Sequence, residues 1–164
     1  MKIIKTIKRA LHFDSTLYSE IEEKNEYNIQ AILVVVLASI FPAVAIQGFD
    51  VFGIIISFIY ELLSCIFWIG IIVVMAIKVL DIRIVPINFA RCIGIALFPL
   101  LLMILVLIPY IGIYLAIIGI ILSILSVFKV VQELLEIEFS LALVLAMIGA
   151  IPFILVNFYL IYQK

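Results

Sequence analysis

Five long apolar runs occupy the chain from Ile29 to Ile161, and they dictate the class of fold before any other feature enters. With 68% of its residues hydrophobic, a water-soluble domain would lack the polar surface needed to meet solvent. The longest uncharged stretch, Cys92 to Phe128, covers 37 residues and is broken only by the turn Pro109-Tyr110-Ile111-Gly112. At roughly 20 residues per helical crossing, each run is long enough to span a bilayer. The fold class is therefore an all-α integral membrane protein, a bundle of five transmembrane helices behind a short amphipathic N-terminal segment.

Residues 1–28 form the polar segment and residues 29–161 the membrane domain. The spans are expected at 29–46, 51–80, 88–108, 113–131 and 139–161. In the N-terminal segment Ile3, Ile4, Ile7 and Leu11 make one helical stripe, with Lys2, Lys5, Lys8 and Arg9 opposite. That pattern suits a helix lying in the headgroup layer. Asp14 or Ser15 caps a second short helix, from Thr16 to Glu23, with an acidic exposed side, and Asn25 and Asn28 offer side-chain acceptors where the first crossing begins. Pro86 is placed for the first turn of the third helix. Pro42, Pro99 and Pro152 lie inside spans and are expected to kink them. Ala43-Val44-Ala45 resembles a signal-peptidase site, but the region before that apolar run holds five acids, so the first span is expected to stay.

Charge is distributed unevenly. Alternating the loops between the two sides puts nine of the ten Lys and Arg residues on the side of the N-terminus, with Lys164 alone opposite. Basic residues are retained in the cytoplasm, so the expectation is a cytoplasmic N-terminus, an external C-terminus and residence in the cell membrane. Tyr110, Tyr114, Tyr159 and Tyr162 then fall at the outer boundary, where amphipathic rings belong. A net charge of −1 points to no nucleic-acid partner. The bilayer is the expected partner, together with other membrane proteins or a second copy of the chain.

Few residues carry chemistry. His12 is the only histidine, Cys65 and Cys92 read as small core residues, and no nucleophile–base pair or glycine-rich phosphate cradle is present. The expectation is a non-enzymatic protein with no cofactor and no metal site. Glu61 is the exception in the pattern, because a carboxylate near a span centre costs roughly 3 kcal/mol on insertion scales. Arg91 is the obvious counter-charge, but helix rise puts the two ~15–20 Å apart in depth. Ser39, Ser123 and Asn157 match the depth of Glu61, so these four form the candidate intramembrane polar site. The favoured reading is a protonated Glu61 clamping helices through a hydrogen bond. The competing one is a proton or cation site in a small transporter or channel subunit. Arg91 is expected to reach the inner headgroups, with Lys78 and Arg83 as further headgroup contacts. Gly119 with Ser123, and Ala142 with Ala146 and Ala150, space small residues four apart for close packing.

Several segments together carry a family likeness. Arg9-Ala10-Leu11 with Asp14, Tyr18 and Glu20-Ile21-Glu22 precedes Gln30-Ala31 and a valine-rich first span. Trp68 lies in the second span, and Arg91-Cys92-Ile93-Gly94-Ile95-Ala96-Leu97-Phe98-Pro99 opens the third. Lys129-Val130-Val131-Gln132-Glu133 closes the fourth, with Ala142 and Gly149 in the fifth. This arrangement resembles the Yip1 domain family of small five-span membrane proteins, in its compact prokaryotic form. The resemblance implies membrane residence and little more; together with the absence of catalytic residues it favours a membrane scaffold, adaptor or membrane-organising role. The eukaryotic family is linked to Rab-type GTPases, but the long cytosolic N-terminus and aspartate-leucine-tyrosine-glycine-proline motif are missing here. A GTPase partner is therefore not carried over.

Overall fold

The structure, a computed structural model, describes residues 6–7, 9 and 15–162. The amphipathic stripe expected over residues 1–13 falls mostly outside the described residues, as do His12 and Lys164. Among the described residues from Ser15 onward there are six α-helices: α1 Ser15–Glu23, α2 Asn28–Gln47, α3 Val51–Val74, α4 Pro86–Ala96, α5 Gly112–Leu135 and α6 Phe139–Tyr162. A 3-10 turn, Asn25–Tyr27, leads into α2, and a π-helical turn, Met75–Val79, prolongs α3. Among the described residues there is no strand.

Among the described residues, five segments are long and apolar enough to cross a membrane: Asn25–Gln47, Val51–Val79, Pro86–Leu107, Gly112–Leu135 and Phe139–Leu160. This is a multi-pass membrane protein. α3 shows the solvent logic most clearly. Ser57, Glu61, Ser64 and Trp68 point inward and are buried, whereas Ile55, Ile59, Leu63, Ile66 and Phe67 are exposed. Polar groups inside and hydrocarbon outside invert the soluble pattern, because lipid cannot satisfy a hydroxyl or carboxyl.

The spans close into a ring. α2 packs on α3, α3 on α6, α6 on α5, α5 on the second half of the third span, and that half back on α2. The third span differs most from expectation. α4 stops at Ala96, and Phe98–Leu107 continues as ten residues of 3-10 helix with Pro99 in its first turn. Pro99 has no N–H for the carbonyl four residues earlier, which ends the α-helical ladder there. Gly119 of α5 accommodates the switch, since a Cβ at that position would lie 2.9 Å from the Pro99 carbonyl oxygen and 3.1 Å from Leu102 Cβ. Pro42 and Pro152, by contrast, sit within unbroken α2 and α6.

α5 runs to Leu135, a turn beyond the expected end at residue 131, so Glu133 is still helical and pairs with Lys129 at 3.5 Å. Glu136 then ends the helix in the left-handed conformation, φ 52°. α1 does not stand apart from the bundle. Its Leu17, Tyr18 and Ile21 are completely buried, packed chiefly against α4 and next against α5. We call this the α1 end, and the opposite side, with the α2–α3 turn, the far end.

Candidate functional site

The polar interior has two centres. The first joins α3 to α6. Glu61 is fully buried, and its Oε2 accepts from Asn157 Nδ2 at 3.1 Å. The same Nδ2 donates to the Phe153 carbonyl, one turn back on its own helix, at 3.0 Å. Glu61 Oε1 and Asn157 Oδ1 are both buried without a hydrogen-bond partner. Of the three partners expected by depth, the structure brings only Asn157 to Glu61. Ser39 donates to the Val35 carbonyl and Ser123 to the Gly119 carbonyl, each at 2.8 Å. Such i−4 bonding satisfies a hydroxyl within its own helix and frees it from any need for an interhelical partner.

Trp68 lies two turns along α3 from Glu61 on the same buried face, and its Nε1–H also lacks a partner. Its ring packs against Phe153 with centroids 5.8 Å apart. Gly149 makes room for the indole, because a Cβ there would sit 2.8 Å from Trp68 Nε1. The sequence marks Trp68 as part of a family-like second span; its place as a polar atom below Glu61 follows only from the helix face.

Toward the far end, a pocket of about 590 Å³ opens between the α2–α3 turn and α6. Gln47, Asp50, Ser57, Tyr60 and Tyr159 line it, with Leu160 on the α6 side. Gln47 Nε2 donates to Ser57 Oγ at 2.8 Å, and Tyr60 meets Tyr159 edge-on at 6.4 Å. Ser57 stands one helical turn from Glu61, and Leu160 three residues from Asn157. The pocket therefore reaches, on both helices, the turn next to the buried pair.

The second centre overturns the expectation for Arg91. Its side chain does not extend outward; the residue is only 4% exposed, and both terminal nitrogens of its guanidinium donate inside the protein while Nε stays buried without a partner. Nη1 donates to the carbonyls of Ile21 and Lys24, both at 2.9 Å, and Nη2 to Asn25 Oδ1 at 3.0 Å and Asn88 Oδ1 at 3.2 Å. The Ile21 carbonyl belongs to the last turn of α1 and the Lys24 carbonyl, which also accepts from the Tyr27 N–H at 3.3 Å, lies just past it, where the helix dipole is negative. Planar guanidinium geometry, with donors on two nitrogens, lets one side chain serve all of them. Asn25 accordingly holds Arg91 and is not a cap for the first span, whose N-terminus carries no side-chain cap. Cys92 Sγ reaches the Tyr18 carbonyl at 3.5 Å. Lys78 and Arg83 remain exposed at the α1 end.

α1 is also held along its outer side. Glu20 pairs with Arg9 at 2.8 Å and with Lys24 at 3.0 Å, and accepts from Tyr27 Oη at 3.0 Å. The bonds from Arg9, then Lys24 and Tyr27, hold its carboxyl down at about 2. Burial, with Glu133 nearby, pushes the Tyr18 phenol above its ordinary value.

On the other face, an apolar groove of about 550 Å³ runs between α2, α3 and α4 past Ala31, Val35, Leu62, Ile66 and Gly94. Among the described residues, no three His, Cys, Asp or Glu side chains converge as metal ligands would. Comparison with protein-family models, curated proteins and solved structures gave no match to this chain.

Proposed function

We propose that this chain is a non-enzymatic membrane scaffold or adaptor of the cell membrane, with the α1 end in the cytoplasm and the far end outside. The observation that carries the reading is the fixing of α1. Arg91 and the buried Leu17, Tyr18 and Ile21 hold this helix against α4 and α5, while Thr16, Ser19 and Glu23 face outward. A rigidly held helix with a polar outer face is a docking platform, and it lies on the side rich in Lys and Arg. The likeness to Yip1 domain proteins supports the same role, though no GTPase partner is drawn from it.

Two measurements test this reading. Single cysteines placed at positions 24 and 83 should react only with reagent admitted to the cytoplasmic side, and one at position 110 only from outside. The purified chain in liposomes should conduct no ions above empty vesicles. Substantial proton or cation flux would replace the scaffold with the small-transporter reading.

A further inference from the structure

The Glu61–Asn157 pair is more than a clamp, because it leaves two acceptors unused. Glu61 Oε1 and Asn157 Oδ1 are both buried without a donor, in a region where an unmet polar group is costly. Neither oxygen can satisfy the other while the carboxyl is ionised, since both only accept. A proton on the carboxyl supplies the missing donor. That proton must come from water, and among the described residues a polar-lined pocket approaches the pair from the far end. The far-end pocket descends to Ser57 and Leu160, one turn of about 5 Å from the pair. Beyond Glu61 toward the α1 end, Cys65, Trp68, Ile72 and Ala76 are all completely buried.

We propose that Glu61 is a proton-exchange site reached from the far side of the membrane through the pocket of Gln47, Asp50, Ser57 and Tyr159, and sealed from the α1 side by Trp68, Ile72 and Ala76. The site is a dead end, not a conduit, so it adds pH sensing to a scaffold without requiring transport. Loss of the proton leaves a charge facing the unused Asn157 oxygen, which loosens the junction of α3 with α6. The far-side pH thereby acts on the packing of two spans.

The groups able to disturb this titration are few among the described residues. α2 carries no acid or base. α6 brings Tyr159 and Tyr162, and α3 brings Tyr60 and Cys65, the latter one helical turn beyond Glu61. Arg91 of α4 is bound to α1, and Lys78 of the π-helical turn lies at the same end. Asp50 stands at the pocket mouth.

Carbodiimide labelling of the full chain in oriented liposomes reads the proposal. A carbodiimide takes the acid proton onto its nitrogen, the carboxylate adds to its central carbon, and rearrangement leaves a stable N-acylurea that peptide mass spectrometry locates. With a membrane-permeant carbodiimide, Glu61 labelling should fall at least about fivefold when the far-side pH rises from about 6 to about 10. The same change on the α1 side should leave it unaltered. A water-soluble carbodiimide added outside should also label Glu61, and Ser57→Leu, which fills the pocket floor, should cut that labelling about tenfold while sparing the permeant reagent. Asp50→Asn should leave Glu61 labelling in place, separating the two carboxyls. Labelling that ignores far-side pH, or that follows the α1 side, overturns the proposal. Protection by sodium or lithium at constant pH overturns it too, in favour of a cation site.

Discussion

At the residue scale, the contrast between Glu61 and Arg91 shows how a membrane protein treats its charged groups. Glu61 is met by one amide, and its cost in the interior is moderated by a single interhelical bond. Glu61→Gln keeps an acceptor for Asn157 Nδ2 and adds a donor for Asn157 Oδ1. Unfolding in detergent should therefore shift by less than ~1 kcal/mol, since interhelical hydrogen bonds in membranes average below that. Glu61→Leu should cost slightly more, about 1 kcal/mol, at the low end for a lost buried partner because Nδ2 keeps its bond to Phe153. A loss of several kcal/mol in the glutamine variant would contradict this assignment. Glu20 behaves differently because it lies near water. Its folded carboxyl titrates at about 2 against an ordinary 4.5. A depressed acid contributes stability above its unfolded value, so the hold on α1 should be intact above pH 4.5 and weaken as pH falls toward 2. Hydrogen exchange of the Ser15–Glu23 amides across that range, compared with Glu20→Gln, checks it. The glutamine variant should show a smaller pH response in this window.

At the element scale, the third span is the unusual piece. A 3-10 helix of ten residues is long for its kind, and its poorer hydrogen-bond geometry needs outside support. Gly119 supplies that support by letting the Pro99 backbone approach α5 closely. In Gly119→Ala the new methyl meets a carbonyl oxygen at 2.9 Å, a backbone atom that cannot rotate aside. The expected cost is ~1–3 kcal/mol of stability in detergent, the range for overpacking. Gly70→Ala is the control: nothing lies within 4 Å of a Cβ there, so the helix should be unharmed or slightly stabilised. Equal effects at the two sites would show that helix propensity, not packing against the third span, sets the outcome. The proline at 99 was legible as a break, but the conformation beyond it was not. α-helix and 3-10 helix share an apolar composition, and only the surface of α5 selects between them.

At the scale of the whole molecule, Arg91 couples the polar N-terminal part to the membrane domain. Arg91→Lys retains the charge but offers one nitrogen where the native side chain uses two, so it cannot reach both the α1 carbonyls and the two asparagine oxygens. The five-span domain should stay folded, while α1 becomes more open to exchange and to limited proteolysis near Lys24. An α1 as protected as in the native chain would mean that Leu17, Tyr18 and Ile21 suffice to hold it. Arg91→Gln should loosen α1 further, since the neutral amide offers only two donors and loses the favourable interaction with the helix C-terminus.

The sequence by itself determined the helical class, the number of crossings and their limits to within a few residues. It also determined that Glu61 would be inward, because hydrocarbon length and the cost of a buried charge act locally on any chain of this composition. It narrowed the partner of Glu61 to three residues of matching depth. The rest depended on which helix faces meet. Depth is one coordinate, and rotation about the helix axis is another that an almost uniformly apolar surface does not encode. Ser39 and Ser123 therefore turned to their own backbones, and Asn157 alone met the carboxyl. Arg91 differs from expectation for the same reason: a basic residue near a span end is usually drawn to headgroups, and the linear chain says little of α1 folding back to present carbonyls at its end. The spacing of Asn88 and Arg91, one helical turn apart, was the one local trace of that junction. The tertiary structure decided it, because hydrogen-bond acceptors at a helix end bind a guanidinium only where the fold brings them.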